Sequence, residues 1–404
     1  MLKNTIYRIL ERRHFWRYAS FSEVAELYAS RTLRFVGINL ASGFASVYLY
    51  KTGYSLRFII IFWICYFSFK ALFSIPAALI AARIGPKHGI LISNILYIPA
   101  MIALGLVPNY GMPAIILWAL FMSSSATIYS ICYLIDFSKI KSLEHAGKEI
   151  GFVNILEKIA VGISPVIGGF VALWFGPQAV MMAGALAFSL AALPLFKTME
   201  QTKTHQKISL LGFPYRLVYR SLISQTGVGF DIFATGYVWG LFIAIVIFPH
   251  ITDAIYLTLG ALSSVTILTA IGVSYAYGRL IDRQKGGDLL RISVIVNSLV
   301  HASRPFAVGA SSVVATNIAN EIATTGINMS YVRGLFDSAD LSGHRIVYIS
   351  MIDAMTSLGS VIACVALLIC TTLVGQDDGL RVFFFVTAIF VLLVGTPHFR
   401  IYRR

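Results

Sequence analysis

Long apolar runs alternate with short polar or turn-forming stretches along almost the whole chain. Each run is about 20 residues long, the length that an α-helix needs to cross roughly 30 Å of hydrocarbon. The pattern predicts twelve membrane-spanning helices in an all-α membrane protein. They are numbered here as spans 1 to 12: 32–51, 58–82, 88–107, 112–135, 150–174, 178–196, 226–249, 254–278, 289–309, 311–335, 345–374 and 380–398.

One long connection, polar at first and then amphipathic, divides these spans into two groups of six. It covers residues 197–225 and is predicted to be a central cytoplasmic loop. An N-terminal six-helix bundle (32–196) precedes it and a C-terminal six-helix bundle (226–398) follows it. Residues 1–31 interleave arginines with apolar side chains, as in a helix on the membrane surface. Residues 399–404 form a short cytoplasmic tail.

Composition excludes a soluble protein, because 57% of the 404 residues are hydrophobic and only 12% are charged. The net charge of +14 is spread over short loops, which argues against a nucleic-acid partner. The four cysteines lack metal-ligand spacing, and no phosphate-binding G-x-x-x-x-G-K-[ST] loop occurs, so no metal, cofactor or direct use of ATP is expected.

The lysines and arginines fall almost entirely on one side of the predicted topology. That side holds both termini, the central loop and the even-to-odd loops, whereas the other side has only Lys51, Arg57 and Arg381. Basic residues stay in the cytoplasm when membrane proteins insert. We therefore expect a multi-pass protein of the cell membrane with both termini in the cytoplasm. Seven of the basic residues counted lie before or within span 1: Lys3, Arg8, Arg12, Arg13, Arg17, Arg31 and Arg34.

A charged loop recurs once in each half. Between spans 8 and 9 the pattern G-x-L-x-D-R is formed by Gly278, Leu280, Asp282 and Arg283. Between spans 2 and 3 the matching residues are Arg83, Gly85 and Lys87, with Ala78 and Ala82 in place of the glycine and the aspartate. These paired loops resemble those of the major facilitator superfamily. The resemblance implies two six-helix bundles that work by alternating access, with a charged latch that is weaker in the first half.

Span 5 carries small residues and a proline that resemble a signature of proton-coupled drug exporters in that superfamily. Ala160 and Ser164 stand where the signature has glycines, and span 4 lacks the arginine that many drug exporters carry there. Small residues and a proline permit close packing and a bend, which would suit a joint between the bundles. Ordinary tight packing is the alternative. The matching residues are Gly151, Pro165, Gly168 and Gly169.

Polar residues at helical spacing indicate which faces line a path through the membrane. The clearest stripe follows span 10, and span 1 contributes Asn39. For single serines and threonines, hydrogen bonding between helices is the simpler interpretation. The stripe of span 10 comprises Asn317, Asn320, Glu321, Thr324, Thr325 and Asn328.

Charges inside the spans are stronger candidates, because an ionised group at mid-bilayer costs roughly 2.5–3.5 kcal/mol on insertion scales. Lys70 and Glu321 both lie near the middle of their spans and are the first choice for a site, with a purely structural ion pair as the alternative. Asp231 and Asp353 follow, and Glu157 lies at about the same depth in the first half as Asp353 in the second. Arg304, near the outer end of span 9, is expected to extend toward water.

The sequence thus favours a monomeric secondary transporter that exports a small amphipathic or drug-like molecule by proton antiport through Glu321 and Asp353. The closest alternative is a proton-linked importer of a small metabolite. An intramembrane transferase would need clustered acids or histidines near one interface, and the eight histidines are isolated in the sequence. A lipid-handling protein is suggested only by the amphipathic N-terminal segment.

Overall fold

The computed structural model describes residues 21–41, 45–140, 146–196, 208–209, 211–250 and 255–402. Within these ranges the chain forms helices and no strand. Most of the predicted surface segment 1–31 and the first part of the predicted central loop lie outside the described residues. The span numbers are kept below for the helices that cover them.

The first half consists of helices that follow one another through very short turns. Gly85 and Gly176 mark two of these turns with φ of 94° and 83°, a region that favours glycine. A proline directly after each of them begins the next helix, where its missing N–H costs nothing. The helices are Phe21–Ala41 and Ala45–Lys51 for span 1, then Leu56–Ile84, Pro86–Gly105, Val107–Tyr110, Met112–Ile140, Ala146–Phe175 and Pro177–Ala192 with the 3-10 turn Leu193–Phe196.

The second half repeats this arrangement but begins earlier than predicted. The helix of span 7 starts at Tyr215 rather than at residue 226, so the amphipathic end of the central connection is helical. Two π-helical segments, Ala234–Val238 and Ile243–Ile247, interrupt span 7. The α-helices are Tyr215–Phe233, Trp239–Phe242, Ile255–Ser264, Ile267–Asp282, Gly286–Ser303, Ala310–Ser342, Arg345–Val374 and Gln376–Val391.

Nine helices among the described residues are long and apolar enough to cross a membrane, and they coincide with nine predicted spans. The segments predicted as spans 1, 9 and 10 are also helical, but they carry more polar side chains or are shorter. A multi-pass helical membrane protein is therefore confirmed. The count of twelve crossings is supported by the helix order and only in part by apolar length.

The two halves meet where spans 2 and 11 pack together and where span 5 packs on span 8. Glycines bring the second pair into close contact: a Cβ on Gly169 would lie 2.7 Å from the Cα of Leu257, and one on Gly260 would meet the carbonyl of Pro165. A Cβ on Gly168 would lie 2.7 Å from the carbonyl oxygen of Leu40 in span 1. Close helix approach at small residues is a common packing mode in membranes.

The paired loops between spans 2 and 3 and between spans 8 and 9 lie on one side of the bundle, called here the basic-loop side. Lys87 forms an ion pair with Glu26 at 3.1 Å, and both side chains are 7% exposed. The loop between spans 2 and 3 is therefore joined to span 1 by an ion pair that the loop pattern alone does not reveal. That the charged latch of this loop is weaker than the one between spans 8 and 9 stays a prediction.

Candidate functional site

A cavity of about 260 Å³, called here the central cavity, lies between the two halves, where spans 1, 5, 7, 8 and 10 face one another. Asn39, Asn317 and Glu321, all predicted site residues, line it together. Asn320 and Arg304 complete its polar wall, while Pro165 and Trp239 supply apolar surface. The polar stripe of span 10 thus faces a cavity over its first half. Lys70, Asp231, Asn328 and Asp353 do not line this cavity.

Glu321 carries an ion pair that joins the halves. Its Oε1 lies 2.9 Å from Nζ of Lys158 in span 5, and it accepts a hydrogen bond of 2.7 Å from Oγ1 of Thr325. The side chains of Lys158 and Glu321 are 22% and 12% exposed, so both retain a little contact with the open space. A proton on Glu321 would remove the charge that holds Lys158 across the interface.

The ion pair between Lys70 and Glu321 that the sequence left open as an alternative is not formed here, because Glu321 pairs with Lys158. Lys70 is half-buried, and its ammonium has no ion pair or hydrogen bond among the described residues. Its backbone carbonyl accepts from Oγ of Ser74, and the same hydroxyl lies 3.1 Å from Oδ2 of Asp353. Asp353 is 5% exposed and therefore belongs to the contact between spans 2 and 11.

A buried network in the second half connects the predicted residue Asp231 with two side chains that the sequence did not single out as site residues. Asp231 Oδ1 lies 2.7 Å from Nε2 of His301, whose Nδ1 lies 3.0 Å from Nη1 of Arg304. Arg304 also donates to Oγ1 of Thr235 at 3.1 Å and to Oδ1 of Asn320 at 3.0 Å. The network therefore ties spans 7, 9 and 10 together along the cavity wall.

Arg304 is fully buried, so the expectation that it extends toward water is wrong. Its guanidinium lies over the ring of Trp239, 4.9 Å from the centroid, and Trp239 in turn donates a 2.8 Å hydrogen bond to Oδ1 of Asn317. The i, i+3 spacing of His301 and Arg304 within an apolar run was the signal in the sequence for this network.

The first half holds its own buried arginine. Arg34, counted as a cytoplasmic charge from the sequence, is 1% exposed within span 1. It donates to Oδ1 of Asn94 at 2.8 Å and to Oγ of Ser125 at 3.2 Å, and it stacks 3.9 Å from the ring centroid of Tyr129. Arg34 must therefore be removed from the count of loop charges, and the orientation itself stays a prediction.

A second cavity, of about 410 Å³, lies toward the basic-loop side and contains Asn328 of the span 10 stripe. Arg31 forms an ion pair with Glu157 there and stacks 3.6 Å above the ring of Tyr133. Arg31 too was counted as a loop charge, yet its side chain is only 16% exposed. Since Glu157 lies one residue before Lys158, span 5 presents an acid to span 1 and a base to span 10.

Aromatic contacts between the halves lie on either side of the ion pairs. Toward the side opposite the basic loops, the rings of Trp63 and Tyr237 approach to 4.2 Å between centroids. Toward the basic-loop side, Phe137 and Phe336 lie 5.7 Å apart. The Lys158–Glu321 pair therefore lies between aromatic contacts that join the two halves toward either side of the membrane.

The other predicted residues lie on the helices and loops where the sequence placed them, and their roles stay predictions. Gly151, Pro165, Gly168 and Gly169 lie in span 5, where the glycines allow close contacts to spans 1 and 8. Gly278 and Asp282 end the helix of span 8, and Arg283 follows it. Within the described residues, no three histidine, cysteine, aspartate or glutamate side chains come together as a metal site would require.

The sequence profile described as Major Facilitator Superfamily matches residues 27–337, which is more than half of the chain. This chain belongs to the major facilitator superfamily. It is a transporter rather than an enzyme, as the sequence analysis expected.

Solved transporters share the fold at low sequence identity. The fucose:proton symporter of E. coli is 15% identical with a TM-score of 0.65, covering 92% of this chain and 97% of that one. A bacterial homologue of the iron transporter ferroportin is 13% identical with a TM-score of 0.67, covering 93% and 98%. The nucleoside transporter NupG is 14% identical with a TM-score of 0.64, covering 92% and 97%. No curated protein matches this sequence.

Proposed function

We propose that this transporter couples proton movement to the export of a small amphipathic molecule, and that the Lys158–Glu321 pair is its coupling site. The observation that carries the proposal is the position of the pair: it bridges the two halves in the middle of the interface, and Glu321 also lines the central cavity. Protonation of Glu321 would release Lys158 and weaken the contact between spans 5 and 10.

Other features support this proposal. A rocking motion needs an interface that breaks and re-forms, and an ion pair with both members slightly exposed meets that need better than a fully packed one. The side chains that a solute would meet in the central cavity are both polar and aromatic: Asn39, Asn317, Asn320 and Trp239. Such a wall suits a molecule with a polar group and an apolar body. Asp353, the second acid of the original expectation, would act through Ser74 of span 2 rather than on the solute.

Export is the proposed direction because the glycines of span 5 resemble the signature of proton-coupled drug exporters and form close helix contacts. Gly168 and Gly169 bring spans 1 and 8 against span 5 at backbone distance, beside Pro165. Import of a small metabolite with protons is the second candidate. The small volume of the central cavity and the concentration of amides on its wall favour it.

Reconstituted vesicles distinguish these functions. A thermal-shift panel of compounds at acidic and alkaline pH first supplies a ligand, because a bound ligand raises the apparent stability of the protein by mass action. Proteoliposomes loaded with that ligand are then given an imposed pH gradient. Antiport predicts that the ligand moves against the proton gradient, and symport predicts movement with it. Ligand flux that is unchanged by the gradient would reject proton coupling in either direction.

A further inference from the structure

A basic pocket of about 490 Å³ lies at the basic-loop edge of the second half and shares no lining residue with the central cavity. Its wall is formed by the start of span 7, by span 10 and by the C-terminal segment that follows span 12. Four of its residues are basic or can become so, and none of its described lining residues is an aspartate or glutamate. These four are Arg216, Arg220, His398 and Arg400.

The pocket is held in shape by the docked C-terminal segment. Phe399 is 4% exposed and fits against Gly334 of span 10, where any Cβ would collide with its ring. The hydroxyl of Tyr402 donates a 2.9 Å hydrogen bond to the carbonyl of Ser330. Phe399 thus fixes its two neighbours, His398 and Arg400, at the mouth of the pocket.

The charges in the pocket are brought together rather than spread apart. Nη1 of Arg220 lies 2.7 Å from Nδ1 of His398, a nitrogen that also lies 3.0 Å from the carbonyl oxygen of Thr396. Arg216 lies one helical turn before Arg220 on the same helix. That helix begins at Tyr215 with no side-chain cap on its N-terminus, so the positive end of its dipole adds to the potential in the pocket. Guanidinium groups bind phosphate oxygens through paired hydrogen bonds.

The same helix places the pocket at the membrane surface. Tyr215, Tyr219 and Ile223 follow one another at intervals of four residues and are 48%, 47% and 43% exposed. Leu211, in the turn before the helix, is 89% exposed. Four exposed apolar side chains in a row face lipid, and tyrosines prefer the level of the headgroups. Since Tyr219 belongs to both the apolar row and the pocket wall, the pocket opens beside lipid.

We propose that this pocket binds the phosphate of an anionic phospholipid, with the acyl chains lying along Leu211, Tyr215, Tyr219 and Ile223. The guanidinium groups of Arg216, Arg220 and Arg400 supply the donors. The lipid joins span 7 to the C-terminal segment and so stabilises the second half. This site is independent of the solute and of the coupling pair.

The test is native mass spectrometry of the full-length protein released from nanodiscs of phosphatidylglycerol and phosphatidylcholine. The variant is Arg216→Gln with Arg220→Gln, and the matched control is Lys285→Gln with Arg291→Gln, which removes two exposed charges from the same side of the membrane. Wild type and control are expected to retain one phosphatidylglycerol that the variant loses, with a roughly tenfold drop in affinity or more, since each basic residue near the surface contributes a fewfold to tenfold factor.

Two results would overturn the proposal. Equal retention of phosphatidylglycerol by variant and control would mean that the charges act only as a diffuse surface potential. Equal stabilisation of the wild type by free glycerol phosphate in phosphatidylcholine nanodiscs would mean a soluble phosphate rather than a lipid. A circular dichroism spectrum and a thermal midpoint in phosphatidylcholine keep a misfolded variant from being counted as either result.

Discussion

Each half of the transporter buries an arginine among three corresponding helices, but Arg34 lies on span 1 and Arg304 at the end of span 9, and their partners differ. Arg34 joins spans 1, 3 and 4 through the neutral groups of Asn94 and Ser125. Arg304 joins spans 7, 9 and 10 through Asn320 and also through His301, which leads to Asp231. The repeated scaffold therefore carries a fixed cation in the first half and a chain of titratable groups in the second.

This difference indicates a division of labour. A buried arginine whose described side-chain hydrogen-bond partners are neutral has no partner that gains or loses a proton, so it holds its three helices together at all ordinary pH values. A buried arginine that shares its donors with an imidazole and a carboxylate can change partners when those groups change charge. The second half also supplies Glu321 to the central cavity. We therefore expect proton-dependent change to lie in the second half and the first half to act as a fixed frame.

The largest expected effect is on folding. Arg304→Met leaves Asp231 without its nearby cation and leaves the amide of Asn320 unpaired in a buried site, which costs about 3–5 kcal/mol. Arg34→Met leaves only neutral groups unpaired and costs about 1–3 kcal/mol. Thermal midpoints in one detergent measure both. Equal losses would mean that the acid in the second network contributes nothing, and the comparison of the halves would fail.

The next effect is on the pH dependence of transport. Asp231→Asn keeps the hydrogen-bonding shape of the side chain but removes its charge, so we expect the pH profile of solute flux to shift or flatten. Asn94→Asp in the first half is the matched change, because it adds a charge beside Arg34 at the corresponding network. We expect this variant to keep the wild-type profile shape. A shifted profile in the first-half variant and an unchanged one in Asp231→Asn would reverse the assignment.

The paired loops offer a smaller and more local test. Asp282→Asn is expected to reduce transport severely at normal expression, whereas Ala82→Asp, which restores the acid missing from the first half, is expected to be tolerated. The buried Lys87–Glu26 pair gives a matched control: Glu26→Gln should lower stability more than it lowers the rate per folded molecule. Normal transport by Asp282→Asn would show that the loop serves only topology.

The smallest perturbation tests orientation. Cysteines at Asn109 and Gln376 should react with impermeant thiol reagents from outside intact cells, and one at Thr204 only after the membrane is opened. Thr204 lies outside the described residues, so this measurement rests on the sequence. Labelling of position 204 in intact cells would show that the predicted topology is inverted and that the basic-loop side faces outward.

The sequence predicted the helices well because crossing a bilayer requires a long apolar run, and such runs are visible one residue at a time. A polar stripe on an apolar helix also pointed to Glu321 and Asn317, which line the central cavity together with Asn39, and their role in transport stays a prediction. The sequence did not predict which charged side chains pair with one another across helices. Nothing in a single helix shows that Lys158 of span 5 and the acid of span 10 lie at the same depth.

Arg34 and Arg304 were misassigned for a related reason. Both lie toward the predicted ends of spans, where basic residues usually reach water, and rules based on depth alone assign them there. Their true position depends on amides and hydroxyls of two other helices, for instance Asn94 for Arg34 and Asn320 for Arg304. Such three-helix networks are formed by packing and leave only a weak trace in the spacing of residues along one helix.

The central claim, that Glu321 and Lys158 couple protons to solute, is tested most directly by proteoliposomes that report solute and proton together. Glu321→Gln mimics the protonated state permanently, so we predict that it retains exchange of labelled for unlabelled solute across the membrane. The same variant should show no solute-driven change of internal pH and no accumulation driven by a pH gradient, while Glu157→Gln at the Arg31 pair keeps both. Proton-driven accumulation by Glu321→Gln at the wild-type level would contradict the account.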